Sequence, residues 1–117
     1  MIQGIYSALS ALRALGQRLG VTTNNIANMD TEGFKKSKAV FEEASPYGVN
    51  VTIRRIETQG FPLPSEEGIN KVCESSNVDI KEEMINLITV PHAYAANLKS
   101  VKAEDEILGT LLDIVDR

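Results

Sequence analysis

The sequence predicts a mainly α fold, with long N- and C-terminal helices on either side of a short β-hairpin or extended middle. Three observations predict it. Apolar residues recur in steps of three and four near both ends, the period of a helix face. The middle alternates in steps of two, the period of a half-buried strand. Hydrophobic residues make up 43% of the chain but aromatics only 5%, so the apolar content is organised as aliphatic stripes. A chain of 117 residues fits one domain. Within it we read a helix and exit turn at 1–33, an extended or hairpin middle at 34–76, and a second helix at 77–117.

The first element begins "MIQGIYSALSALRALGQRLG". Steps of three and four from Ile5 pass through Ala8, Leu12, Leu15, Leu19, Thr22 and Ile26, a line that sets one face against a partner helix. Arg13 and Arg18 interrupt the apolar run, so it is neither a Sec signal nor a membrane span, which needs about 20 successive apolar residues. Gly16 and Gly20 weaken the isolated helix by roughly 1 kcal/mol each and thin it, so that a neighbouring backbone could approach. The helix runs into "NNIANMDTEGFKK", where Asn24, Asn25 and Asn28 crowd its end ahead of Gly33. Asparagine is a mediocre helix former because its amide competes for nearby backbone groups. Three of them in five residues can bond between neighbouring helices or cap backbone groups where the chain leaves the helix; the alternative is that they merely fray its end. Gly33 suits the permissive backbone of an exit turn.

In the middle, "GVNVTIRRIET" places Val49, Val51 and Ile53 in strand alternation, and the step to Ile56 marks a bulge or a strand end. "KKSKAVFEE" is the weaker partner, and Ser45-Pro46-Tyr47-Gly48 is the turn between them. "GFPLPSEEG" reads as extended linker. A two-stranded hairpin is marginal alone and must lean on the helices. The last element opens on Asp79, with Glu82 at capping-box spacing. Its line runs Ile80, Met84, Leu87, Pro91, Tyr94, Leu98, Val101, Asp105, Leu108, Leu112 and Val115, some 36 residues or about 54 Å. A stripe of that length pairs along its length rather than inside a globule. Pro91 removes one helix hydrogen bond at roughly 3 kcal/mol, predicting a kink or a split near Val90.

The charge balance narrows the function classes. The formal charge of −4 falls wholly in 77–117, and no basic face exists for phosphates, which argues against nucleic-acid binding. Cys73 is alone, so it forms no disulfide within the chain. His92 follows a proline with no cysteine or carboxylate at metal-ligand spacing. Catalysis, a cofactor and a metal are not expected. The acidic residues Glu82, Glu83 and Glu104-Asp105-Glu106 read as solvated helix faces.

An "SALSAL" stripe followed by "NNIAN", a polar turn, glycine and an aromatic resembles the N-terminal signature of the bacterial flagellar rod and hook axial proteins. "SNVDIKEEMINLITVPHAYAANLKSVKAEDEILGTLLDI" resembles their C-terminal signature. The two cover residues 1–38 and 76–115, and the short middle looks most like the small proximal-rod members, the FlgC type in particular. Pro91-His92 departs from the polar, helix-compatible residues usual there.

The resemblance implies that the terminal helices pair as an antiparallel coiled coil and that many subunits pack into the wall of a helical tube. Partners would be other rod subunits, further copies of the chain and the flagellar type III export apparatus. It also implies export without a cleaved signal and a final place in the periplasm-spanning basal body. On the first helix the assembly residues would be Ile5, Leu9, Leu12, Leu15, Leu19, Asn24, Asn25 and Asn28, with Gly33 in the turn. On the second they would be Met84, Leu87, Tyr94, Asn97, Leu98, Val101, Leu108 and Leu112. The alternative is a coiled-coil adaptor or divergent paralogue that caps such an assembly. An adaptor needs one apolar face per helix; a wall subunit needs more, and Leu9, Ala11, Ala14, Ile85, Ile88 and Leu111 offer a second.

Overall fold

A computed structural model describes residues 2–64 and 73–116. The N-terminal helix α1 spans Ile2–Ala27 and the C-terminal helix α2 spans Ile80–Val115. Between them lie strands β1 (Ser37–Glu43), β2 (Val49–Arg55), β3 (Pro62–Leu63) and β4 (Cys73–Glu74). The expected hairpin forms: β1 and β2 pair antiparallel, with Ser37 opposite Arg55 and Glu43 opposite Val49. The step to Ile56 is a strand end, although the Ile56 N–H still donates to the Lys36 carbonyl at 2.8 Å. The stretch read as linker instead contributes a minimal second sheet, in which Leu63 pairs with Cys73. Its residues 65–68 lie outside the described residues.

The helices pack antiparallel. Gly4 at the start of α1 abuts the Glu104 carboxylate, and Asn25 near its end reaches Glu83 at the start of α2. The molecule measures 83 × 26 × 16 Å, with a radius of gyration of 21.0 Å. A compact chain of this length would have about 13 Å, so the fold is a rod. At 1.5 Å per residue, 36 residues of α2 outreach 26 of α1 by about 15 Å. The last turns of α2 therefore project beyond the start of α1.

On α1 the sequence-read seam holds for Ile5, Ala8, Leu12, Leu15, Thr22 and Ile26, which are buried or half-buried. Leu19, at 38% exposure, is the exception. On α2 the seam is different. Beyond Glu82, the buried or half-buried positions are Glu83, Asn86, Val90, Ala93, Asn97, Val101, Glu104 and Leu108. This line is also spaced by threes and fours, but through most of the helix it lies one residue away from the expected one. One residue is about 100° on a helix, which turns Ile80, Met84, Leu87, Tyr94, Leu98 and Leu112 outward. The inner face of α2 is thus mixed polar and small, and its most apolar line faces away from α1.

Pro91 lies inside a continuous α2, so the helix is not split at Val90. The ring leaves the Leu87 carbonyl without its usual donor. Pro91→Ala is expected to restore that bond and raise the thermal midpoint of the isolated chain, by up to about 3 kcal/mol of helix stability. Circular dichroism melts check this, and an unchanged midpoint would refute it. The Asp79 cap forms, its carboxylate accepting from the Lys81 N–H at 3.0 Å. Glu82 does not complete a capping box. Its carboxylate turns to the Lys36 ammonium, 3.3 Å away.

Candidate assembly interface

The crowded asparagines do separate jobs. Asn25, 1% exposed, sits where α1, β1 and α2 meet. Its Nδ2 donates to the Ser37 carbonyl at 2.8 Å and to Glu83 Oε1 at 3.0 Å, while its Oδ1 accepts from the Ser37 N–H at 3.1 Å. One amide therefore imitates a neighbouring strand for Ser37 and ties the hairpin to α2. Asn28 closes the helix end: its Nδ2 donates to the Asn24 carbonyl at 2.9 Å and its Oδ1 accepts from the Thr31 hydroxyl at 3.1 Å. Asn24 itself is exposed. Gly33 adopts φ +70°, the left-handed region that a side chain strains, and its N–H donates to the Glu74 carbonyl at 2.8 Å.

A second asparagine strut, Asn77, was missed in the sequence. Its Oδ1 accepts from the Lys36 N–H at 2.7 Å, and its Nδ2 donates to the Ile56 carbonyl at 2.8 Å and the Thr58 carbonyl at 3.0 Å. It holds the open end of the hairpin against the entry to α2, as Asn25 holds it against α1. The signal was present: an asparagine two residues ahead of a helix cap, beside strand ends in need of partners.

Three more contacts fix the hairpin along α1. The Val49 N–H donates to Ser10 Oγ at 3.0 Å. Arg18 lies 3.7 Å over the Phe41 ring and donates to the Ala39 carbonyl at 3.3 Å. Tyr6 and Tyr47 stack with centroids 6.4 Å apart.

The Lys35 ammonium bonds Glu74 at 2.9 Å. That hydrogen bond first, and the lysine charge second, hold the Glu74 carboxyl below its ordinary value. A lowered folded pKa stabilises above the unfolded value and is lost as pH falls through the folded one. Lys35→Met should therefore reduce stability near neutrality and flatten the acid limb of the melting profile below about pH 4 to 5. An acid limb unaltered by the substitution would show that the pair is idle.

Glu104 lies against the first turn of α1, which has no acidic residue of its own. Its carboxylate is placed to complement the positive end of that helix. A Cβ at Gly4 would collide with it. By contrast, among the described residues a Cβ at Gly16 or Gly20 would meet nothing within 4 Å, so no described part of the backbone approaches the thin stretch of α1.

The residues expected to carry assembly divide into two sets. Ile5, Leu12, Leu15, Asn25, Asn97, Val101 and Leu108 are buried or half-buried in the single chain, as is Asn28 at the exit. Leu9, Leu19, Asn24, Met84, Leu87, Tyr94, Leu98 and Leu112 face solvent, with Gly33 in its turn. Of the second face, Ala14 is buried under the hairpin and Ala11 half-buried, while Leu9, Ile85, Ile88 and Leu111 are exposed. Among the described residues, five apolar side chains are buried and twenty large ones are exposed, from Ile2 to Val115. The largest exposed patches on a monomer normally serve an interface. No helix among the described residues is long and apolar enough to cross a membrane.

Comparison with known proteins agrees with this architecture at both ends. Residues 5–35 match the family described as "Flagella basal body rod protein". Residues 70–114 match the one described as "Flagellar basal body rod FlgEFG protein C-terminal". The chain is 32% identical over 69 residues to the flagellar hook protein FlgE of Borreliella burgdorferi, which covers 59% of the chain and 16% of that protein. It is 42% identical over 43 residues to the flagellar basal-body rod protein FlgG of Bacillus subtilis, or 37% of the chain and 16% of the relative. It is 38% identical over 45 residues to FlgE of Escherichia coli, or 38% of the chain and 11% of the relative. The chain thus spans about a sixth or less of these relatives' length. With a matching signature on each of two antiparallel helices, the chain belongs to the flagellar rod and hook axial protein family.

Proposed function

We propose that the chain is a structural subunit of the flagellar basal-body rod rather than an enzyme, polymerising with copies of itself and with other rod subunits through its paired terminal helices. The observation that carries this reading is the outward line on α2. Ile80, Met84, Leu87, Tyr94 and Leu98 keep the spacing of a coiled-coil seam yet are all exposed in the single chain. A face built to be buried, and not buried by its own chain, is a face for neighbours. A contact of this kind that does not close on itself builds filaments. Leu9 on α1 and Ile85 and Ile88 on α2 widen the apolar surface, which favours a wall subunit over an adaptor with one docking face.

The short middle, with its small hairpin and minimal second sheet, supports a proximal-rod role of the FlgC type. Passage through the flagellar export apparatus and a periplasmic final location follow from the same reading. The test is a strain lacking the gene, complemented with a tagged copy and fractionated for hook–basal bodies. The tagged chain should co-purify with the rod, and swimming should return. Complementation of swimming with the chain absent from purified basal bodies would overturn the proposal.

A further inference from the structure

The two edges of the hairpin differ. In an antiparallel pair, alternate residues bond across the ladder and the others turn their backbone groups to the outer edge. Lys36 bonds Ile56 and Ala44 bonds Gly48, so in this register the odd-numbered residues of both strands face outward. On β1 that edge is covered. Asn25 bonds both the N–H and the carbonyl of Ser37, and Arg18 bonds the Ala39 carbonyl. On β2 Ser10 accepts the Val49 N–H, but the outward groups of Val51 and Ile53 have no hydrogen-bond partner among the described residues. The usual guards of an edge strand are a proline, a bulge or a free charge. β2 contains no proline, its pairing with β1 is unbroken, and its arginines are neutralised within the chain. Arg54 lies 3.7 Å from Glu42, and Arg55 lies 2.9 Å from Glu57.

We propose that this edge is a docking surface for a second copy of the chain, whose β2 pairs with it antiparallel to make one four-stranded sheet. The strand complements itself. With Thr52 on the two-fold axis, all seven residues of β2 find a partner. Val51 and Ile53 exchange backbone bonds with Ile53 and Val51 of the second copy, while Arg54 lies opposite Asn50 and Arg55 opposite Val49. No like charges meet. The helices fit as well, because an axis perpendicular to the sheet leaves both α1 helices on one face. α1 lies under both strands, since Arg18 reaches Ala39 and Phe41 while Ser10 reaches Val49. The two helices are then offset by two strand spacings, about 10 Å, close to the roughly 8–10 Å at which helices pack. Small residues ease that approach, and a Cβ at Gly20, on the flank beside β2, would meet nothing described within 4 Å. Gln17 lies beside both Val51 and Ile53 and so near the axis. Arg13 then comes level with Gly20 and Val21 of the second copy, not with another arginine. Ile53, 54% exposed next to that flank, is covered by the pairing. A foreign strand would use the edge alone; the helix spacing and the charge-free register fit a second copy. The contact is isologous and closes at two copies, which separates it from the open contacts proposed for α2.

Sedimentation equilibrium on Leu98→Asp, in which the outward line of α2 carries a charge, isolates this contact. A concentration-dependent dimer is expected, and amide exchange at Val51 and Ile53 should slow at least tenfold between dilute and concentrated samples. Gly20→Leu fills the flank and should keep the fold while weakening the dimer at least tenfold. Ile53→Pro removes an outward N–H but no bond of the hairpin ladder, and should act likewise. In a Cys73→Ser chain, Thr52→Cys should form a disulfide between copies on mild oxidation, because facing residues of that kind lie about 4.5 Å apart at Cα. Glu42→Cys, on the far strand, should not. A monomer at every concentration, a dimer indifferent to both Gly20→Leu and Ile53→Pro, or equal cross-linking from Thr52→Cys and Glu42→Cys would overturn the proposal. None of these readouts depends on rod assembly.

Discussion

Asn25→Leu is expected to undo the attachment of the hairpin to the helix pair. The leucine has nearly the same size, so the loss is one of hydrogen bonds rather than of volume. Three groups lose their partner at once: the Ser37 N–H, the Ser37 carbonyl and Glu83 Oε1. Each buried group left unsatisfied costs about 1–3 kcal/mol, so three of them cost at least about 3 kcal/mol. Against a total stability of about 5–15 kcal/mol for a domain, that is enough to destroy cooperative unfolding. The melt should broaden and fall in midpoint, and exchange protection should disappear first across β1. A midpoint within a few degrees of wild type would mean that Asn25 is not the hub described above. Asn25→Asp is a sharper control. It retains an acceptor for the Ser37 N–H, removes both donors and sets a second carboxylate against Glu83.

Leu98→Asp should behave in the opposite way, sparing the single chain and abolishing the assembly. Leu98 is 48% exposed on the outward line of α2, and surface substitutions of that kind usually stay within about 0.5 kcal/mol. Helix content and melting of the isolated chain should hold. In the rod the same carboxylate would be buried against an apolar neighbour without a partner, a cost of several kcal/mol at every subunit. Swimming of the complemented strain should be lost, and purified basal bodies should lack the chain. Leu12→Asp should fail on both counts, because Leu12 lies within the seam between α1 and α2. Wild-type swimming with Leu98→Asp would remove the proposed interface on that face.

The contrast between those two leucines shows what could be read without coordinates. The line through Ile5, Leu12 and Leu15 on α1 was legible because there the apolar positions and the intrachain seam coincide. So was the hairpin, since Val49 and Val51 alternate against a turn rich in proline and glycine. On α2 the same logic pointed to the wrong side. Periodicity finds the most apolar line of a helix, and pairing that line with the nearest helix assumes that the chain buries its own best surface. Here Val90, Ala93 and Val101 share the inner face with Glu83, Asn86, Asn97 and Glu104, while Met84, Leu87 and Leu98 look outward. A weaker inner line one residue away is hard to detect beside a stronger outer one. Asn77 and the Leu63–Cys73 pairing were missed for another reason: each acts through single backbone groups, which leave no period to count.

The unequal lengths of the two helices have a geometric consequence for any stack of such subunits. The final turns of α2 pass the start of α1 and carry Ile107, Leu111, Leu112, Ile114 and Val115, all exposed in the single chain. Neighbours set flush, end level with end, would leave every one of these tongues bare on the same plane. Neighbours displaced along the long axis cover them, as courses of brick overlap in running bond. In such a stack the joints would not line up, and a twisting load would pass from one subunit into the flank of the next instead of opening a seam.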